Sequence, residues 1–122
     1  RGGVSLGALR AALLDLAARG GTITYGALAR DLSVPGPGSI ARLTEAMEAL
    51  MAEDAAAGRP FLASVCEGRL SGGLPARGFF ETARRLGRYS GPDDGPEARA
   101  FAEAERLALR ELAQNSPKST QS

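Results

Sequence analysis

The sequence predicts a mainly α-helical domain with a small β-sheet, arranged as a winged helix-turn-helix with further helices toward its C-terminal end. Three observations predict it. Residues 5–18 and 39–57 carry apolar side chains at helical spacing. The β-branched and aromatic run Thr22-Ile23-Thr24-Tyr25 leads directly into a short helix. Between that helix and the next lies Ser33–Gly38, whose two Pro and two Gly no helix survives. Two helices joined by such a turn, after a helix and a strand, make a helix-turn-helix arrangement.

The first helix is expected over Ser5–Ala18, with Ser5 as N-cap, Leu6, Leu9, Leu13 and Leu16 inward, and Gly20 and Gly21 as the stop. Thr22–Tyr25 reads as a strand with Ile23 and Tyr25 on one side, although Thr24 could instead cap the next helix, Gly26–Leu32. Ser39 is expected to cap the third helix, whose stripe is Ile40, Leu43, Met47, Leu50 and Met51, and Gly58 ends it. Pro60–Cys66 alternates apolar side chains and reads as a strand. Glu67–Gly78, with four Gly, one Pro, Arg69 and Arg77, reads as a flexible basic wing, for which Leu70 or Leu74 could supply a short return strand. Phe79–Leu86 is a fourth helix docked by Phe79, Phe80, Ala83 and Leu86, with a Glu81–Arg85 pair. Ser90–Pro96 is a turn, and Glu97–Ala113 a last helix contacting the core through Phe101, Leu109 and Leu112. One winged-helix domain over residues 1–113 is expected, with a core at 5–89, a C-terminal helix at 97–113 and a disordered polar tail at 114–122. Ile23, Leu28, Leu43, Met47, Phe61 and Val65 are expected to share one interior.

Composition narrows the chemistry. With no His and a single Cys, Cys66, neither a Ser/His or Cys/His catalytic pair nor the usual zinc sites can be assembled from this chain. A lone Cys forms no internal disulfide, which fits a reducing cytoplasm. No apolar run approaches the roughly 18 residues of a membrane span. The formal net charge of +1 gives no overall push toward nucleic acid, but its distribution is uneven. Residues 61–90 hold Arg69, Arg77, Arg84, Arg85 and Arg88 against Glu67 and Glu81. Residues 21–60 are acidic on balance, with Glu45, Glu48 and Glu53 along the third helix. No metal and no cofactor is expected.

The run Gly21–Leu32 (GTITYGALARDL), the Pro/Gly turn and the third helix resemble the C-terminal domain of O6-alkylguanine-DNA alkyltransferases and alkyltransferase-like proteins. The resemblance covers roughly residues 20–80. It implies a winged helix that places a recognition helix in the DNA minor groove and flips a base. The family's reactive Cys lies in a Pro-Cys-His-Arg motif, whereas this chain reads Ser64-Val65-Cys66-Glu67-Gly68-Arg69. Without the His that raises thiolate character, Cys66 is expected to be a small, half-buried strand residue rather than an alkyl acceptor. A second resemblance, over about residues 8–89, is to small bacterial winged-helix proteins of unassigned function. It rests on the TYG-LA run together with Gly73-Leu74-Pro75-Ala76-Arg77-Gly78-Phe79-Phe80.

The resulting expectation is a non-catalytic, cytoplasmic protein that binds double-stranded DNA mainly through phosphates. The contact set is Thr22, Thr24, Tyr25, Ser39, Arg42, Arg69, Arg77, Arg84, Arg85 and Arg88, drawn from the strand, the start of the third helix, the wing and the fourth helix with its end. The alternative is a winged helix used for protein–protein contact or dimerisation, through the acidic third helix and the Ala/Leu-rich last helix.

Overall fold

Helix α1 spans Leu6–Ala18, and the Ser5 hydroxyl caps it by accepting from the Ala8 amide at 3.2 Å. Its end explains the Gly-Gly pair. Gly20, at φ +72°, gives its amide to Ala17 and Gly21 gives its own to Leu16, the paired bonds of a Schellman stop. The same two bonds close α2, α3 and α4 further along the chain. Only at α2 is the left-handed residue not Gly; it is Ser33, at φ +55°.

The computed structural model describes residues 4–114; of the tail expected over 114–122, Gln114 is helical and the rest falls outside the described residues. After α1 come β1 (Ile23–Thr24), α2 (Tyr25–Asp31), α3 (Ser39–Ala56), a 3-10 turn (Leu62–Val65), β2 (Cys66–Glu67), α4 (Arg77–Arg85) and α5 (Gly95–Gln114). The molecule is thus mainly helical with one two-stranded sheet, and that sheet is parallel, Ile23 opposite Cys66 and Thr24 opposite Glu67. No helix is long and apolar enough to cross a membrane among the described residues.

Several expectations need correction. The strand Pro60–Cys66 is instead a 3-10 turn that becomes strand only at Cys66. Its reason is visible in the partners of its backbone. The Phe61 amide donates to Glu105 Oε1 of α5 at 2.8 Å, and the Leu62 amide to Asp54 Oδ2 of α3 at 3.1 Å. Two carboxylates thus capture the amides that a sheet would otherwise pair. Phe61–Cys66 is buried throughout, so its alternating pattern reflects burial on all sides rather than a strand with one wet face. Cys66 is fully buried, not half-buried. No antiparallel return strand forms in the 68–76 loop. Tyr25 opens α2 instead of ending a strand, because Thr24 takes the N-cap and accepts from the Ala27 amide at 3.2 Å. Ser39 is the first residue of α3 and Gly38 occupies the cap. Ile40 and Leu112 sit 46% and 51% exposed, so neither belongs to the interior. Glu81 lies near Arg77, not Arg85.

The shared interior is as expected. Leu28, Leu43, Met47, Phe61 and Val65 are buried with Leu9, Leu13, Leu50 and Met51, and Ile23 packs against them. Each such side chain contributes about 1.5–3 kcal/mol through burial. All four Phe and Tyr89 form an aromatic cluster between the 3-10 turn, α4 and α5. Phe79 meets Phe61 and Phe80 edge-on at 5.8 and 5.1 Å, and Tyr89 stacks on Phe101 at 4.5 Å.

Candidate functional site

The start of α2, one side of α3, the 68–78 segment and the first turns of α4 enclose a cleft of about 590 Å³. Met47, Met51 and Phe79, buried residues of α3 and α4, supply its floor, and Tyr25 and Ile40 supply apolar walls. Thr24, Thr44, Glu48, Arg30 and Arg69 add the polar groups. An apolar cavity of this size with a few convergent polar groups is the usual form of a small-molecule or nucleobase site. Burial, with Cys66 and Glu48 nearby, pushes the Tyr25 phenol far up, so Tyr25 stays a neutral donor and apolar wall.

The 68–76 loop is held in one shape. The Gly68 amide donates to the Leu74 carbonyl at 2.9 Å, and Ser71 donates back to Gly68 at 3.2 Å, closing a turn over Arg69 and Leu70. From α5, Arg99 Nη2 donates to the Gly72 carbonyl at 3.0 Å. One face along, Arg106 gives Nε to Ser64 O at 2.6 Å and Nη2 to Gly73 O at 2.8 Å. Burial lowers the Arg106 pKa, which still leaves a guanidinium a cation at neutral pH. Gly68 permits the loop's close approach to α4: a Cβ there would lie 2.6 Å from Ser71 Oγ and 2.9 Å from Ala76 Cα. The two α5 arginines escaped sequence reasoning. Their only sequence signal is the seven-residue spacing that puts both on one helix face.

The expected contact residues separate into two groups. Thr24, Tyr25 and Arg69 line the cleft. Ser39 lies at the start of α3, one residue before Ile40, and Thr22, at the base of β1, is exposed and donates to Glu67 Oε2 at 2.7 Å. The others are mostly engaged inside the molecule. Arg42 folds back on the Pro/Gly turn, donating to Pro35 and Pro37 carbonyls at 2.6 and 2.7 Å. Arg84 Nη1 sits 2.7 Å from Asp93 Oδ1, a charge contact out of line for a hydrogen bond, and donates to Gly91 O. Arg77 lies 3.3 Å from Asp93. Arg88 is structural: it lies 4.2 Å over the Phe61 ring, pairs with Glu105 at 3.0 Å and donates to Arg59 O. Arg84, Arg85 and Arg88, adjacent in sequence, therefore do not act as one cluster. No ion pair among the described residues engages Arg30, Arg69 or Arg85. Arg30 was absent from the expected set because it follows the TYG-LA run on a helix that reads as core.

Cys66 lies in β2, beneath Tyr25 rather than in the cleft lining. Burial, with Glu67 adding and Arg106 opposing, pushes its thiol up to about 12. A thiol in that setting is a poor nucleophile at neutral pH. No protein-family model, curated protein or solved structure matches this chain.

Proposed function

We propose that this chain is a non-catalytic DNA-binding module of winged-helix type, in which the 68–76 loop takes the place of the wing. The starts of α2 and α3 and the loop meet the duplex, Arg30 and Arg69 reach phosphates, and the cleft between them receives an unstacked base. The observation that carries this reading is the cleft itself: an apolar slot walled by Tyr25, Met47 and Phe79, with two cations outside any ion pair at its sides. A base offers a flat apolar face to such walls, and phosphates offer partners to Arg30 and Arg69, which share the cleft with Glu48 but form no ion pair among the described residues. Buried Cys66, with its raised pKa, supports binding without covalent transfer.

The test is fluorescence anisotropy with a labelled 20-base-pair duplex, fully paired or carrying one central mismatch. The mismatched duplex is expected to bind more tightly, because less unpairing energy opposes base extrusion. Replacing both Arg30 and Arg69 by Ala is expected to weaken both duplexes and to lower the salt slope by about 2. Absence of binding to paired, mismatched and single-stranded DNA at low salt would refute the reading.

A protein-contact reading draws on a different surface. Leu107 and Leu112 of α5 and Leu14 of neighbouring α1 are exposed. A second copy covering them would appear in light scattering as a mass that doubles with concentration.

A further inference from the structure

One residue of the cleft has the wrong sign for a site that meets phosphates. Glu48 lines it together with Arg30 and Arg69. A carboxylate set where a polyanion approaches opposes binding unless it has another task. Internal pairing is not that task, since no ion pair among the described residues engages Glu48. Helix geometry fixes where the carboxylate stands. Ile40, Thr44 and Glu48 recur every fourth residue and form one row along α3, next to the row of Met47 and Met51 that floors the cleft. Glu48 therefore stands beside the apolar floor on which a base would lie, with Thr44 one turn before it.

A carboxylate accepts hydrogen bonds and donates none, whereas Thr44 and Tyr25 bring hydroxyls that can donate. Burial, with Cys66 and Glu48 nearby, holds the Tyr25 hydroxyl in its protonated, donating form. The cleft thus offers an acceptor together with donors, and bases differ in how they answer it. Cytosine presents an amino group beside a ring nitrogen, so its N4 can donate to Glu48 while its N3 accepts from a hydroxyl. Thymine has nearly the same size but carries a carbonyl in place of that amino group, which would face the carboxylate lone pair to lone pair. A base seated in the cleft also strips water from Glu48, and a carboxylate that gains no donor in return is left desolvated and unpaired. Resting on the DNA-binding reading above, we propose that Glu48 is a specificity-determining residue: it accepts the exocyclic amino group of the unstacked base, so that among the pyrimidines the cleft admits cytosine and rejects thymine.

The experiment uses the whole chain and two labelled duplexes that differ only in a central cytosine or thymine facing an abasic site, so that neither base has a partner to leave. Affinities are read by anisotropy. The wild type is expected to bind the cytosine duplex about tenfold more tightly than the thymine duplex. Glu48→Gln replaces a group that only accepts by an amide that also donates, and so can serve the thymine carbonyl. It is expected to tighten binding of the thymine duplex by about fivefold or more and to bring the two affinities within about twofold of each other. An equal gain for both duplexes would reduce Glu48 to general repulsion of the backbone and overturn the proposal. Equal affinities of the wild type for the two duplexes would also overturn it, while leaving DNA binding intact. Failure of the wild type to bind either duplex, or paired, mismatched or single-stranded DNA, at low salt would overturn both.

Discussion

Charge is handled in opposite ways on two sides of this molecule. Around the 3-10 turn, ions face inward and satisfy one another. Asp54, with no side-chain exposure, lies 3.0 Å from Arg10 and 3.1 Å from Arg59 and accepts the Leu62 amide, while Glu105 takes the Phe61 amide and Arg88. Around the cleft, Arg30 and Arg69 stand beside apolar walls and Glu48, and neither enters an ion pair among the described residues. The difference shows that a run of arginines in a sequence is not yet a charged surface. Of the five in residues 61–90, Arg77, Arg84 and Arg88 are consumed by Asp93 and Glu105. Electrostatic potential therefore has to be assessed after internal pairing, which leaves Arg69 at the cleft and Arg85 away from it outside any ion pair among the described residues.

The inward side should break hardest. Asp54→Ala leaves the Arg59 guanidinium and the buried Leu62 amide without their acceptor and Arg10 with Glu53 alone, and is expected to lower the unfolding free energy by about 3–5 kcal/mol in urea denaturation. A loss under 1 kcal/mol would mean that the buried ions contribute little and that the contrast between the two sides is one of geometry only. The cleft side should respond through shape. Gly68→Ala forces Ser71 and the Ala76 backbone apart, for about 1–3 kcal/mol, and is expected to reduce the preference for a mismatched duplex as the cleft wall moves. Between the sides lies Cys66. Its folded pKa of about 12 stands above the ordinary 9.0, so the folded state holds the proton more tightly. Its contribution is complete below pH 9 and is lost as pH rises toward 12. Stability is expected to fall by about 1.4 kcal/mol at pH 10 on this account. Tyr25, also raised, shifts the same way. Cys66→Ala should flatten that alkaline decline, measured by thermal melts across pH, and a slope unchanged by the substitution would place the loss elsewhere.

Much of the scaffold was legible because its causes are local. Helix periodicity, the Ser5 and Thr24 caps and the Gly residues after α1, α3 and α4 act within a few residues. The 61–67 segment was not, because its conformation is decided by Glu105, 44 residues away, and by Asp54, eight residues back. An apolar run buried on every side has no period to betray which backbone it adopts. The cleft was partly legible: Thr24, Tyr25 and Arg69 emerged from the strand–helix and wing reading. Met47, Met51 and Phe79 were seen only as core, since the face of a helix that packs and the face that floors a cavity differ by what stands opposite. Arg30 carried no distinguishing signal.

The brace from α5 bears on the order in which the protein matures. The loop's carbonyls at Gly72 and Gly73 and the Phe61 amide all wait for partners that lie between Arg99 and Arg106. As the chain leaves the ribosome, α1 through α4 emerge before those partners do, so the nascent protein can pair its first helices early and fixes the 68–76 loop last.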